Sequence, residues 1–433
     1  MYIKSVEITD FKSVKSFSMS FENPAGWHVI IGNNGAGKST ILQAIALTII
    51  GSSDSSIPGK NLESFINFGS LSASIELEIQ KHDDDSYTGN SRPRKSPFTA
   101  ALQLTRSKFS ETGELVKGAK IQSIKSDYAK KSIWSSAKGW FSASYGPYRR
   151  FDGGNISWQK TYYSHPNVAA HISVFGADVA LTEGLTWLIK LNHESLEGNE
   201  ESKDFTKKII SFLNQGDFLP NETKIDGISS DGLQVIIGND SDSGTKINAL
   251  DLSDGYRSIL SMTIDILRQM TEVHSMAKVF EVKDEQQLEI GVKGVVMIDE
   301  IDVHLHPTWQ TRIGDWFMHY FPKIQFIVTT HSPLICRAST NGTIWRLAVS
   351  SDNRESGEVI GVDRDRLIQG NILDAYGTHL FGKSPVESAS YDKNRSRLGE
   401  LNALSALGKI EDDEEIERKK LQKLISSDDP TGF

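Results

Sequence analysis

The stretch GNNGAGKST, Gly32 to Thr40, constrains this chain most. It satisfies G-x-x-x-x-G-K-[ST], and its surroundings matter more than the match itself. The apolar run GWHVIIG precedes it and reads as a strand, while STILQAIALTII follows with the pattern of a buried helix. A glycine-rich turn between strand and helix lets successive backbone N–H groups point inward at one anion, and the helix end adds partial positive charge. The segment Asn33, Asn34, Gly35, Ala36, Gly37, Lys38, Ser39 and Thr40 is therefore expected to cradle a phosphate chain. Lys38 is expected to reach the β- and γ-oxygens, and the Ser39 hydroxyl to ligate Mg²⁺.

Two further apolar strands end in polar residues. VVMIDE delivers Asp299 and Glu300 to a strand end, and FIVTTHSP does the same for His331. Open α/β sheets bind ligands at the carboxyl ends of their strands. Asp299 is thus a candidate for the metal that Ser39 also contacts. Glu300 is a candidate general base for an attacking water, and His331 a donor that senses the γ-phosphate. A fourth stretch, ALDLSDGYRSIL, starts a helix at Ser253, with Gly255 leaving backbone amides open near its N-terminus.

Taken in order, GNNGAGKS, LSDGYRS, VVMIDE, HLHP and TTHSP resemble the P-loop, signature, Walker B, D-loop and H-loop of ABC-type ATPases, and ITDFKSVKSF resembles the first strand pair of their soluble SMC-like branch. The specific motifs cover residues 1 to 50 and 250 to 340. The resemblance implies an α/β fold: an ABC-type P-loop NTPase head with an antiparallel β layer, a helical insert and a C-terminal helical tail. It also implies ATP and Mg²⁺ as cofactors, hydrolysis of ATP to ADP and phosphate, and paired sites formed head to tail. Ser253 and Gly255 would then contact the γ-phosphate bound by a second subunit. Two departures stand out: His306 occupies the position of the usual D-loop aspartate, and Asp254 replaces the second signature glycine. None of Gln103, Gln122 and Gln159 is assigned as a Q-loop glutamine.

The expected organisation is a first lobe over residues 1–90, a β-rich and helical insert over 91–248, a second lobe over 249–350 and a helical tail over 351–433. In the tail Leu398, Leu401, Leu404 and Leu407 recur before a charged run, which reads as a helical hairpin. No stretch sustains heptads, so a long coiled coil is not expected. A net charge of −9 argues against coating nucleic acid through overall charge. A single cysteine, Cys336, rules out an internal disulfide framework and fits a reducing cytosol. No apolar run is long enough to span a bilayer.

Between residues 91 and 160 there are fourteen Lys and Arg against four Asp and Glu, interleaved with Trp134, Trp140, Phe141, Tyr145, Tyr148 and Trp158. Two readings stay open. The region grips DNA or RNA with aromatics stacked on bases, or it is a β layer whose lysines are solvated and whose tryptophans are core. Charge around Arg92 to Lys95 bears on the first. By position in the family, Arg149 and Arg150 are also candidates to approach the nucleotide.

A long arm is absent, and the combination of YGPYRRF, VFGADVALTEGLTWLIKL, LSDGYRSIL, IDEIDVHLHPTWQ and FIVTTHSP resembles the compact bacterial ATPases of antiphage defence, among them the PtuA-type ATPases of Septu systems and those encoded beside some retrons. That resemblance implies a homodimer or higher oligomer and a separately encoded nuclease partner. The alternatives are a DNA-repair or recombination ATPase and a nucleotide-gated scaffold with incidental turnover. FGKSP at 381 to 385 lacks the upstream glycine and strand of a second phosphate loop. His304 and His306 lack a third ligand for a zinc site.

Overall fold

The computed structural model describes residues 1–52, 61–88, 97–107, 118–125, 127–135, 138–147, 166–176, 182–219, 221–238, 245–283, 287–348, 355–370, 389–406 and 409–425. Arg92 to Lys95, Tyr148, Arg149, Arg150, Trp158, Gln159, FGKSP and Leu407 lie outside the described residues. The chain divides into two units, Met1–Ile372 and Leu373–Phe433.

Strands β3 (Gly26–Gly32), β7 (Ser142–Tyr145), β13 (Gly294–Ile298), β14 (Ile324–Thr330), β15 (Ile344–Leu347) and β16 (Gly357–Glu358) form one six-stranded sheet, in the order β16-β15-β3-β14-β13-β7. All of its pairings are parallel except that of β15 with β16. Every residue of β3, β13 and β14 is buried. That explains why these strands read as unbroken apolar runs: in a parallel sheet with both faces covered, neither side needs polar residues. β7 supplies an edge of this sheet from within the region expected to be insert. The tail expected from residue 351 begins with β16 before its helices.

A second sheet is antiparallel. β1 (Tyr2–Phe11) and β2 (Val14–Ser20) form the strand pair expected over ITDFKSVKSF, and β4 (Ser72–Gln80), β5 (Phe98–Arg106) and β6 (Ala119–Ile124) complete the order β2-β1-β4-β5-β6. Its strands alternate buried and exposed positions, because only one face meets the core. Helix α1 (Lys38–Ile50) lies between the two sheets. Ile41, Leu42, Ala44, Ile45, Ala46, Leu47, Thr48, Ile49 and Ile50 are all buried, as a helix that is apolar on every side requires. Gln325, fully buried on β14, donates to the Ile3 carbonyl at 2.9 Å and accepts the Ile3 N–H at 2.8 Å, so one side chain splices the two sheets together.

Helices α2 (Thr182–Leu196) and α3 (Glu200–Leu213) follow, with a small antiparallel sheet of β8 (Lys224–Ser229), β9 (Gly232–Ile237) and β10 (Thr245–Asn248). Then come α4 (Asp254–Val273), the short hairpin β11 (Phe280–Val282) and β12 (Leu288–Ile290), and α5 (Pro307–Tyr320). After α6 (Gly361–Gln369), the second unit holds the helices α7 (Ala389–Ala406) and α8 (Asp412–Ile425). These two pack on each other through buried Leu401 and an Arg397–Glu417 ion pair at 2.9 Å. The paired helices match the hairpin expected of the tail. Among the described residues, no helix is long and apolar enough to cross a membrane.

The described aromatics of the basic region are structural. Trp140 and Phe141 are buried, and the Trp140 indole donates to the Ser86 carbonyl at 2.6 Å. Trp134 donates to the Thr48 carbonyl at the end of α1 at 2.9 Å. For these residues the core reading holds.

Two buried histidines set an acid limit on this core. His171 sits between the Ser142 and Ser144 hydroxyls, and His28 bonds the Pro24 carbonyl and the Thr343 hydroxyl. Burial lowers His171 to about 3 and His28 to about 4. In the unfolded chain both titrate near pH 6.5, so below that value the unfolded state takes up protons that the folded state refuses. Stability therefore holds above about pH 6.5 and falls as the pH drops from there, by up to about 1.4 kcal/mol per unit for each group. Denaturant midpoints should be lower at pH 5 than at pH 7.5, with a shallower dependence in His171→Asn. An unchanged slope would show that His171 is not buried neutral.

Candidate nucleotide site

The site lies where β3, β14 and β13 end side by side. Parallel pairing places Ile31 opposite Thr330, and Ile298 opposite Val328, so the residues that follow each strand emerge at one edge. Lys38, Asp299, Glu300 and His331 come from positions far apart in the chain and meet here.

The loop after β3 is shaped by its glycines. Gly35 (φ 78°) and Gly37 (φ 101°) are left-handed, a region costly for residues with a side chain. A Cβ on Gly37 would also sit 2.9 Å from Val14 Cγ2, so the turn between β1 and β2 packs directly against the start of α1. The Ser13 and Thr40 hydroxyls lie 3.4 Å apart across that contact. Asn33, Asn34 and Gly35 are exposed, and Ala36, Gly37, Ser39 and Thr40 are half-buried.

Lys38 is only 6% exposed, although its ammonium carries a full charge. Its Nζ donates to the carbonyls of Gly32 at 2.9 Å and Asn33 at 3.3 Å, and to His331 Nε2 at 2.8 Å. Burial pulls its pKa down, while Glu300, Asp299 and Asp302 hold it up. Burial and the nearby Lys38 charge lower the His331 pKa, so its imidazole is neutral and accepts from the lysine. The arrangement ties the phosphate loop to the end of β14 through one cation.

Asp299 is 2% exposed, with its N–H donating to the Tyr145 carbonyl at 2.8 Å. Its Oδ1 accepts from the Thr329 hydroxyl at 2.5 Å. That same hydroxyl accepts the Glu300 N–H at 2.8 Å, and the Thr329 carbonyl accepts the Ile301 N–H at 3.1 Å. One threonine thus clamps both carboxylate-bearing residues. Glu300 is left-handed at φ 47°, strained for a residue with a long side chain, and the clamp holds it there. Thr329 lay unnoticed in the sequence because a threonine in a strand carries no signal of its own. The doublet TTHS at the strand end was the only cue.

The Ser253 motif is placed differently. Ser253 occupies the N-cap position of α4, yet its side chain makes no capping hydrogen bond and is exposed. Gly255 is buried, and a Cβ there would come within 2.6 Å of the His304 carbonyl. The glycine is needed for this close approach as well as for any amide exposure. His306 caps α5: its Nδ1 pairs with the Thr308 hydroxyl at 2.8 Å and accepts the Thr308 N–H at 3.4 Å. No group of three or more His, Cys, Asp or Glu side chains placed to hold a metal ion by themselves occurs among the described residues.

Comparison with known proteins finds similarity along most of the chain. Residues 1–141 match the model of a family described as AAA ATPase domain, and residues 140–337 that of the AAA domain, putative AbiEii toxin, Type IV TA system family. A Septu protein PtuA of Bacillus mycoides is 26% identical over 82% of this chain, which spans 41% of that relative's length. The Retron Ec83 probable ATPase of Escherichia coli is 25% identical, with 80% of this chain and 71% of the relative covered. A solved Smc head bound to the C-winged helix domain of ScpA aligns at 15% identity and a TM-score of 0.43, covering 84% of this chain and 98% of that one. The glycine-rich loop, the acidic strand end and the histidine strand end thus stand on adjacent parallel strands, in a chain that matches ATPase-domain models over consecutive stretches and is similar over most of its length to a Septu PtuA and a retron ATPase.

Proposed function

We propose that the protein binds ATP with magnesium at this edge and hydrolyses it at composite sites formed head to tail by two subunits. The observation that carries the reading is the convergence of Lys38, Asp299, Glu300 and His331 around one point, with Lys38 within electrostatic reach of both carboxylates. In this reading the amides of Asn33 to Lys38 hold the β-phosphate, and Lys38 exchanges its carbonyl partners for β- and γ-oxygens. Thr40 contacts the α-phosphate side of the loop. A buried carboxylate and a hydroxyl are hard oxygen donors of the kind magnesium takes, so Asp299 and Ser39 would hold the ion. Bound there, magnesium neutralises charge on the β- and γ-phosphates.

Glu300 follows the metal carboxylate directly, and its fixed backbone suits a base that aligns and deprotonates a water. His331, neutral, is able to donate to the γ-phosphate and so to respond to its release. Ser253 is exposed and its side chain makes no capping bond to its own helix, which fits a hydroxyl that serves a phosphate on another subunit. The relatives belong to Septu and retron systems by name. We extend to this chain an antiphage role in which ATP turnover regulates a separately encoded nuclease.

Substitutions at three positions test the mechanism. Glu300→Gln should retain ATP binding in equilibrium dialysis and slow phosphate release by orders of magnitude; unchanged turnover removes Glu300 from the mechanism. Ser253→Arg should leave ATP affinity of the single subunit intact while abolishing hydrolysis and nucleotide-driven pairing. Full-rate hydrolysis by isolated subunits would refute the composite site. Thr329→Val removes the hydroxyl that orients Asp299 and Glu300, and losses of about 10- to 100-fold are usual when such an orienting partner is deleted. Thr329→Ser keeps the hydroxyl and should recover most of the rate. Equal rates in the Val and Ser variants would mean the clamp does not matter.

A further inference from the structure

Asp302 is used by none of the steps above, yet it joins two parts of the site that otherwise do not touch. Its carboxylate Oδ1 accepts from the Thr330 hydroxyl at 2.6 Å and from the His331 N–H at 3.3 Å. Thr330 in turn accepts the Ser332 N–H at 2.9 Å, so the carboxylate fixes the backbone that carries His331. On its other side, the Asp302 carbonyl accepts from the Leu305 N–H at 3.1 Å and from the Gln310 amide at 3.3 Å. Gln310 also donates to the Leu305 carbonyl at 2.8 Å. These bonds define the turn from Asp302 to His306, in which His304 is left-handed at φ 66°.

That turn is the surface against which α4 begins. The His304 carbonyl faces Gly255 so closely that a Cβ would come within 2.6 Å, and Tyr256 packs on Trp309 with ring centroids 5.4 Å apart. A displacement of the turn therefore moves the first residues of α4 or clashes with them. The chain of contacts runs from Lys38 to His331, from His331 to Asp302, and through the turn to Gly255.

We propose that Asp302 is a positioning residue that couples the phosphate-facing His331 to the Ser253–Gly255 end of the same subunit. ATP bound in a subunit's own site then sets the geometry of the surface that subunit offers to its partner. This rests on the head-to-tail reading given above. The coupling acts on association: Asp302 bonds to His331 through the His331 backbone, and its charge reaches Lys38 only as the last of three carboxylates, so its removal changes pairing more than ATP affinity.

The test uses the full chain carrying Glu300→Gln, so that ATP persists. ATP affinity is measured at subunit concentrations too low for pairing, and ATP-driven pairing by analytical ultracentrifugation. Asp302→Ala should keep ATP affinity within about threefold and weaken pairing at least tenfold. Asp302→Asn, which keeps an acceptor oxygen, should fall between. Thr330→Val removes one donor with little change of shape and should shift pairing in the same direction; it decides the matter if Asp302→Ala fails to fold. In the Glu300-intact background, turnover of the Asp302 variants should recover as protein concentration rises, which a general loss of structure would not produce. Pairing by Asp302→Ala or Thr330→Val as tight as the parent's overturns the proposal, as does a loss of ATP affinity equal to the loss of pairing. If the parent itself fails to pair with ATP, the head-to-tail reading falls first and the coupling with it.

Discussion

The parallel pairing of β3, β14 and β13 is the constraint from which the site follows. Each strand alone delivers a polar residue to an unspecified place. Hydrogen-bonded at a spacing of about 4.8 Å, the three ends become neighbours. The register is held because every residue of the three strands is buried, where a backbone N–H or C=O left without a partner is costly. A slip of one residue would turn Asp299 and Thr329 to opposite sides and undo their contact.

A buried ammonium would be costly by itself, and this one is stabilised in two ways. Backbone carbonyls and a neutral imidazole accept its hydrogen bonds, while three carboxylates lie within electrostatic reach. The carboxylates are held by neutral donors: the Thr329 hydroxyl for Asp299 and the Thr330 hydroxyl for Asp302. Two consecutive threonines, whose side chains leave a strand on opposite faces, thereby orient two different acidic residues. The backbone strain at Glu300 and His304 sits where these bonds concentrate, consistent with strain being stored beside functional groups.

Much of this was legible before any coordinates. The phosphate loop was readable because glycine, lysine and hydroxyl spacing encodes a local backbone shape, and a strand and a helix flank it. Asp299, Glu300 and His331 were readable because polar residues closing an apolar strand are informative in themselves. Thr329, Thr330 and Asp302 were not, since a threonine in a strand and one more acid in a turn have no distinguishing local pattern. The tryptophans of the basic region show the reverse. Interleaved with lysines they left base stacking and a core role both open, and Trp134 and Trp140 bond backbone carbonyls within the fold. The membership of β7 in the main sheet was hidden because SASY is short and only its pairing with β13 defines it.

The sequence by itself determined the local elements: two antiparallel strands, a phosphate loop opening an apolar helix, acidic and histidine-bearing strand ends, and a helical tail. These depend on periodicity and on residues a few positions apart. Only the tertiary structure decided which strand ends are neighbours, that Lys38 donates to His331, that one hydroxyl serves both Asp299 and Glu300, and that Gly255 lies against His304. Those outcomes arise from tertiary contacts between segments 29 to 293 residues apart, and no local propensity encodes the order in which such strands assemble.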